Sequence, residues 1–252
     1  MVAGVDIDRL LAVAQWAPEL ELMPAKISVD QVAVTIAYLE GEAFSFYYAE
    51  NLERLRAAGV RLVPVDPASA NKLPEVDGLY IGGGFPEVHA AQLGSNTEFT
   101  ASIRKNVSAG MPVYAECAGL MYLARELVVD GVTPSMAGVL DLVVEQLPTP
   151  QGHGYEVAVV DRDNQFFAAG TRLVGHEFHY SRLVGGSDGE RSVLRVERGT
   201  GIGDKRDGIS SGRVFASYLH LHAGATPGWA DGFLSLSARY AGERNGSTAA
   251  CG

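Results

Sequence analysis

Apolar, β-branched segments alternate with helix-like segments through the first half of this chain, and that alternation constrains the fold more than any other feature. Residues 32–38, VAVTIAY, are almost uniformly apolar, as expected for a strand covered on both faces of a parallel sheet. The predicted strands cover residues 32–38, 61–65, 78–81 and 112–115, and the predicted helices cover residues 47–58, 86–93 and 98–109. Strands and helices in this order require right-handed crossover connections. The sequence therefore predicts an α/β fold with an open, mostly parallel sheet.

The two ends of the chain do not follow this alternation. After residue 125, short segments predict four strands, at residues 140–145, 155–160, 192–196 and 213–218. A closing helix is predicted at residues 229–240. Before residue 26, the sequence predicts a short helix at residues 7–16 and a Pro-bearing linker at residues 17–26. The predicted organisation is residues 1–25 as a residual helix and linker, residues 26–241 as one α/β domain, and residues 242–252 as a frayed polar tail.

Charge and composition exclude several classes of partner. The 252 residues include 20 basic and 30 acidic side chains, for a net charge of -10, and no basic patch offsets it. That charge repels nucleic-acid phosphates and anionic lipids, so we expect neither nucleic acid nor membrane as a partner. No apolar run reaches the roughly 20 residues of a membrane span, and the first residues lack the basic region of a secretory signal. We therefore expect a cytoplasmic protein.

One of the two cysteines lies where a nucleophile is expected. Cys117 follows an apolar strand and precedes an apolar helix, and its neighbours Ala115, Ala118 and Gly119 are small. A sharp strand-to-helix turn tolerates only small neighbours and projects its central side chain from the carboxyl end of the sheet. The amides and dipole at the start of the helix are expected to lower the pKa of the thiol. A buried structural cysteine is the alternative, and the turn favours a nucleophile.

A cysteine that attacks an amide needs a base and a site for the oxyanion. Residues 213–222, RVFASYLHLH, predict a strand that continues into two histidines, His220 and His222, which at a spacing of two point to the same side of it. The triplet 82–84 follows another strand, and the backbone amides of Gly83 or Gly84, with that of Ala118, are candidate oxyanion donors. Each feature alone is weak, but all lie at strand ends of one predicted parallel sheet, where ligands bind in such folds.

A second histidine cluster contains His176, Glu177 and His179. The two histidines are three residues apart, so the cluster is not the His-Glu-x-x-His zinc motif. No cysteine or acidic set with ligand spacing completes a metal site, and we expect no metal, although a metal-dependent hydrolase stays open as an alternative. His89 and His153 have no assigned role.

Five segments of the chain resemble one family. They are FSFYYAENL from Phe44, LYIGGGFPE from Leu79, AECAGLMYL from Ala115, GHEFHYS from Gly175 and ASYLHLH from Ala216. In this order they resemble the glutaminase domain of cobyrinic or hydrogenobyrinic acid a,c-diamide synthases, a class I, triad-type glutamine amidotransferase. The resemblance covers residues 30 to 240 and implies a flavodoxin-like sheet with helices on both faces. The first helix resembles the tail of the family's preceding domain.

The resemblance also implies roles for individual residues. Cys117 matches the nucleophile, and His220 matches the residue that raises its nucleophilicity. Triad amidotransferases carry a His-x-Glu motif that begins at the histidine matched by His220, whereas this chain has His222 in place of the glutamate. The third member of the catalytic set is therefore open, with His222, His176, Glu177 and His179 as candidate supporting residues.

The family also implies partners. Its members resemble a fusion of this glutaminase to an ATP-dependent synthetase, and no Gly-x-x-x-x-Gly-Lys-Ser/Thr phosphate loop occurs in this sequence. We therefore expect glutamine as substrate, no cofactor bound by this chain, and ATP with Mg²⁺ in a synthetase domain or subunit that receives the ammonia. A homodimer, a related amidation (nickel-sirohydrochlorin a,c-diamide or cell-wall lipid), and a non-catalytic regulatory remnant stay open.

Overall fold

A computed structural model describes residues 6–16, 34–226 and 228–249 of the chain. Its helices are α1 (Ile7–Gln15), α2 (Ala49–Ala57), α3 (Ala90–Ser95), α4 (Thr97–Ser108), α5 (Ala118–Leu123) and α6 (Asp231–Ala249). Its strands are β1 (Thr35–Leu39), β2 (Phe44–Phe46), β3 (Arg61–Val65), β4 (Gly78–Ile81), β5 (Gly83–Gly84), β6 (Val113–Glu116), β7 (Glu126–Val128), β8 (Val143–Gln146), β9 (Gly152–Val160), β10 (Arg172–His179), β11 (Ser181–Gly185), β12 (Ser192–Arg198), β13 (Arg206–Ser211), β14 (Val214–Ser217) and β15 (His220–Leu221).

Parallel strands form the centre of the fold. Neighbouring strands β3, β1, β4, β6 and β14 run parallel, and Leu79 of β4 lies opposite Ala37 of β1 and Val113 of β6. Every residue of β4 and β6 is buried, because side chains of both orientations meet apolar layers on the two faces of the sheet. The predicted flavodoxin-like α/β class is therefore confirmed.

Antiparallel strands extend this sheet on one side. Beyond β14 the order is β13, β12, β9, β10 and β15, and each of these strands pairs antiparallel with its neighbour. Strand β15 follows β14 closely in sequence, yet it lies at the far edge of the sheet. The antiparallel strands must therefore curl back, and this brings β10 and β15 to the carboxyl ends of the parallel strands.

The prediction that one strand runs continuously into the two histidines is wrong. Strand β14 ends at Ser217, and the separate strand β15 begins at His220. Between them, the buried carboxylate of Asp207 accepts hydrogen bonds from the amides of Tyr218 and Leu219. Those amides are thereby withdrawn from strand pairing, which separates β15 from β14. Strand β15 ends at Leu221, so His222 lies outside it.

The closing helix is longer than predicted, and the segment expected to be a frayed tail from residue 242 is helical as far as Ala249. The physical reason lies in two ion pairs. Arg213 pairs with Glu243, and Arg244 pairs with the buried Asp77, so this part of α6 is tied to the sheet. Residues 250–252 lie outside the described residues.

Helix α1 confirms the predicted first helix. Asp6 caps it by accepting a hydrogen bond from the amide of Arg9, and none of its residues is buried. The predicted linker, residues 17–26, lies outside the described residues. Within the described ranges, no helix is long and apolar enough to cross a membrane.

Candidate active site

Cys117 lies on a strained turn between β6 and α5. Its φ of 49° and ψ of -99° are unusual for a residue with a side chain, and they are expected of a nucleophile at a strand-to-helix turn. The turn leaves no space around it. A Cβ on Gly119 would lie 2.7 Å from the carbonyl oxygen of Ile81 and 3.0 Å from the Cβ of Ala115. Small neighbours are therefore a steric requirement here, as the sequence predicts.

The thiol lines a cavity of about 360 Å³ at the carboxyl end of the parallel strands. His220 lines the same cavity, so the structure brings the predicted nucleophile and base to one place. Aromatic and polar groups contribute to the walls, among them Tyr48, Glu87, Gln146, Phe178 and Tyr180. A concave site of this size with a few convergent polar groups is typical of a small-molecule site.

His220 is held by packing on both sides of its ring. The ring of His176 stacks on it, with centroids 4.6 Å apart and an interplanar angle of 6°, because the two residues are paired across β10 and β15. On another side, Gly83 lies so close that a Cβ there would be 2.7 Å from Cε1 of His220. The backbone of Gly83 thus acts as a wall for the imidazole.

Burial keeps both groups neutral in the resting site. It raises the pKa of the Cys117 thiol to about 12, against the lowering effect of the Ala118 amide, and nearby Glu87, Glu116 and Asp207 raise it further. Burial, with repulsion from His176 and His179, lowers the pKa of His220 to about 3. The amide at the helix start does lower the thiol pKa, but desolvation of the thiolate raises it by more. The expectation of a net lowered thiol pKa is therefore wrong. The resting state is a neutral thiol and a neutral imidazole that line the same cavity.

The three predicted oxyanion donors differ in where they lie relative to the thiol. Ala118 is the first residue of α5, and its amide lies beside the sulfur. Gly84 lines the cavity, and in strand β5 it packs so closely on β2 that a Cβ would overlap the carbonyl oxygen of Ala43. Gly83 lies against His220 instead. The oxyanion role of these three residues stays a prediction.

The second histidine cluster divides between two roles. His176 lies in the site, where its Nδ1 is 2.9 Å from Tyr48 Oη. His179 lines the cavity but uses both ring nitrogens elsewhere. Its Nδ1 donates to the carbonyl of Ser181 at 2.8 Å, and its Nε2 lies 3.4 Å from Glu177 Oε2.

Glu177 is occupied by bonds outside the cavity. Its two oxygens accept hydrogen bonds from the amides of Thr200 and Gly201 at 2.7 and 2.8 Å, and these bonds and His179 lower its pKa. The ring of Tyr218 stacks on His179 at 3.7 Å. Glu177 and His179 therefore brace the segment around Tyr218, which precedes His220.

His222 does not fill the position of the missing family acid. Its Nε2 lies 3.6 Å from the carboxylate of Glu50 on α2, and its Nδ1 accepts a hydrogen bond from the amide of Gly224. Its ring meets that of Tyr48 edge-on, with centroids 4.6 Å apart. The structure thus separates His222 from His220 and Cys117.

Two groups near Cys117 and His220 were not predicted from the sequence. The carbonyl oxygen of Phe178 lies 3.7 Å from the Cys117 sulfur and accepts the thiol hydrogen. Glu116 is 2% exposed, and its Oε2 lies 4.0 Å from Nδ1 of His220. The available signal for Glu116 was its position, since it is the last residue of the strand that ends at the nucleophile.

No group of three or more histidine, cysteine or acidic side chains in the described part of the chain is arranged to hold a metal ion. In that part, His153 packs against Phe178, and His89 lies 3.9 Å from Glu42. The described histidines thus have protein partners.

The fold and the cavity define a class: α/β proteins with a cysteine at a strand-to-helix turn, as in glutamine amidotransferases. Residues 35–227 match the CobB/CobQ-like glutamine amidotransferase domain. The chain belongs to this family. A crystal structure described as a glutamine amidotransferase superimposes with a TM-score of 0.56, covering 80% of this chain and 98% of that one at 22% identity, which supports the fold.

Curated relatives agree with this assignment. The chain is 40% identical over 237 residues to the cobyrinate a,c-diamide synthase of Magnetococcus marinus, and 40% identical over 231 residues to that of Methanothermobacter thermautotrophicus. Each match covers 91% of this chain and 51% of the relative. The chain therefore spans about half the length of these relatives and corresponds to a glutamine amidotransferase component.

Proposed function

We propose that this chain hydrolyses glutamine at Cys117 and supplies the ammonia for the a,c-diamidation of a corrinoid. The observation that carries the proposal is that Cys117 and His220 line one cavity. Cys117 lies on the strand-to-helix turn expected of a cysteine nucleophile, and His220 is the base that such a nucleophile requires. The family membership identifies the donor as glutamine. Glu87 and Gln146 line the cavity and hydrogen-bond to each other at 3.5 Å, and we assign them to binding of the amino and carboxyl groups of that substrate.

The reaction begins with a proton transfer, because the resting thiol and imidazole are both neutral. His220 takes the proton of Cys117 as the sulfur attacks the side-chain carbonyl carbon of glutamine. The resulting oxyanion is held by the amides of Ala118 and of Gly84 or Gly83, and each donor of this kind contributes about 3 kcal/mol in comparable sites. His220 then gives its proton to the departing nitrogen, which leaves as ammonia, and a γ-glutamyl thioester remains on Cys117.

Water completes the cycle. His220 accepts a proton from water as the oxygen attacks the thioester carbonyl, the carbon–sulfur bond breaks, and the proton returns to the sulfur. Glutamate leaves and the thiol is restored. The low pKa of His220 favours donation of its proton to the leaving group but opposes its protonation by Cys117, so the imidazolium formed in turnover needs a stabilising partner.

The acceptor side of the reaction belongs to a second part. The relatives are about twice as long as the matched region, and this chain has no phosphate-loop motif that would hold ATP. We assign activation of the a and c carboxylates, with ATP and Mg²⁺, to a synthetase domain or subunit. The net charge of -10 agrees with that division, since a polycarboxylate tetrapyrrole is repelled by an acidic surface and zwitterionic glutamine is not.

Labelling with 6-diazo-5-oxo-norleucine tests the proposed function. This glutamine analogue should add once to the wild-type protein, at Cys117, and glutamate release from glutamine should stop in step with the labelling. His220→Ala should label more slowly and lose glutaminase activity. Labelling elsewhere, or undiminished glutaminase activity in His220→Ala, would overturn the proposal.

A further inference from the structure

We propose that Glu116 is the positioning residue for His220: its carboxylate orients the imidazole and balances the positive charge that His220 acquires during turnover. This inference rests on the proposed glutaminase function, in which His220 carries the proton from Cys117. In the His-x-Glu motif of triad amidotransferases the glutamate has the orienting role, but position 222 of this chain is histidine. The inference assigns that role to Glu116 instead.

The geometry supplies the first argument. Glu116 is the last residue of β6, immediately before Cys117, and its Oε2 lies 4.0 Å from Nδ1 of His220. Its Oε1 accepts a hydrogen bond of 3.1 Å from the amide of Leu221, the residue after His220. One carboxylate thus faces the imidazole and binds the backbone of the strand that carries it. A short closure of the 4.0 Å gap would complete the hydrogen bond, as catalytic bonds often do when substrate binds.

The immobility of Glu116 supplies the second argument. The hydroxyl of Tyr114 donates to Oε1 at 3.1 Å, and the hydroxyl of Tyr80 donates to Oε2 at 3.2 Å. Both tyrosines are fully buried. Hydrogen bonds from three buried donors fix the carboxylate without giving it a cationic partner, so the attraction of a protonated His220 is not already neutralised.

The charges around His220 supply the third argument. His176 stacks on its ring, and both His176 and His179 oppose a positive charge there. The imidazolium formed in turnover is buried, and a buried charge needs a compensating partner. Glu116 is in position to be that partner.

Other acids close by are committed to different partners. Glu177 is bound by His179 and by the amides of Thr200 and Gly201. Glu50 is more than half exposed and faces His222. Neither carboxylate is positioned to accept a hydrogen bond from Nδ1 of His220.

A pH profile offers a readout that a purely structural role would not change. The titratable groups that face Glu116 from the packed elements are Tyr47, Tyr48, Tyr80, Tyr114, Cys117 and His220. Burial raises the pKa of Glu116 to about 7, against the lowering effect of its hydrogen bonds. Because the ionised form is the active one, glutaminase kcat should rise with pH through this range.

The test compares glutaminase kcat, KM and pH profile in four proteins: wild type, Glu116→Gln, Glu116→Asp and the matched control Glu50→Gln, which neutralises an acid beside another histidine. Glu116→Gln should lower kcat by about 100-fold, with little change in KM, and should abolish the rise near neutral pH. Glu116→Asp should recover part of kcat and keep a rise with pH. Glu50→Gln should match wild type.

The outcomes separate this inference from the proposed function. If wild type hydrolyses glutamine and Glu116→Gln retains wild-type kcat and pH profile, the role of Glu116 is overturned and the glutaminase function stands. If wild type does not hydrolyse glutamine, the function itself fails. Should Glu116→Gln lose its cooperative melting transition, Glu116→Asp decides: a lowered kcat with a displaced pH rise supports the role, and an unchanged profile contradicts it.

Discussion

His176 stacks on His220 with ring centroids 4.6 Å apart and planes 6° from parallel. The pairing of β10 with β15 sets this stack, and the contact of Tyr48 with Nδ1 of His176 fixes the outer ring. The imidazole of His220, the proposed base, is therefore positioned by strands from the antiparallel side of the sheet.

The stack predicts how substitutions of His176 behave. His176→Phe preserves a flat ring against His220, whereas His176→Ala leaves the imidazole free to turn. We expect His176→Phe to keep kcat near wild type and His176→Ala to lower it by roughly 10- to 100-fold, since small misplacements of a reacting group are costly. Steady-state glutaminase kinetics check this. Equal losses in the two variants would mean that the ring stack does not position His220.

The neutral resting state of Cys117 predicts its alkylation behaviour. Burial raises the pKa of the thiol to about 12, and only the thiolate reacts. Below that pKa, the thiolate fraction and the rate of reaction with iodoacetamide should rise about tenfold per pH unit, with no plateau between pH 6 and 9. Intact-protein mass spectrometry measures the rate, and Cys117→Ser, which retains Cys251, provides the background. A plateau near neutral pH would show a preformed thiolate instead.

The contact between Gly83 and His220 predicts a specific loss of activity. In Gly83→Ala the new methyl group would lie 2.7 Å from Cε1 of His220, so the ring must move. We expect kcat to fall by roughly 100-fold while the melting temperature changes little. Gly242→Ala is the matched control, because a Cβ there meets nothing within 4 Å on helix α6. It should retain full activity and gain up to about 1 kcal/mol of stability. Wild-type kcat in Gly83→Ala would contradict the account.

The burial of Glu156 predicts that the free energy of unfolding falls as pH rises. Glu156 is fully buried, and burial with the charges of Asp207 and Glu177 raises its pKa to about 11. Above the unfolded pKa the unfolded state binds fewer protons than the native state, so this group lowers stability as pH rises from about 4.5 towards 11. Glu156→Gln should raise the free energy of unfolding at pH 8 by more than about 1 kcal/mol and flatten its decline with pH. Urea denaturation at several pH values measures this, and an unchanged slope would refute it.

The sequence predicts the parallel part of the fold well, because strands such as residues 78–81 bury side chains on both faces and carry that requirement in their own composition. The same holds for the turn at Cys117, whose small neighbours are local. The break between β14 and β15 is not local, since it depends on Asp207 reaching the amides of Tyr218 and Leu219. A continuous apolar run therefore suggested one strand.

The site divides in the same way. Cys117 and His220 carry local signals, whereas the contact of Glu116 with His220 exists only because the sheet curls β15 over the end of β6. The thiol pKa depends on total burial, which a helix start alone does not reveal. The separation of His222 from the cavity likewise follows from its pairing with Glu50 on α2.

Glutamate release by Cys117→Ser tests the central claim most directly. The comparison uses wild type, Cys117→Ser and Cys251→Ser, so that each cysteine of the chain is replaced in turn by the same residue. Wild type and Cys251→Ser should release glutamate and ammonia from glutamine at the same rate, with one ammonia for each glutamate. Cys117→Ser should release neither product above background. Glutamate release by Cys117→Ser at the wild-type rate would contradict the assignment of Cys117 as the nucleophile.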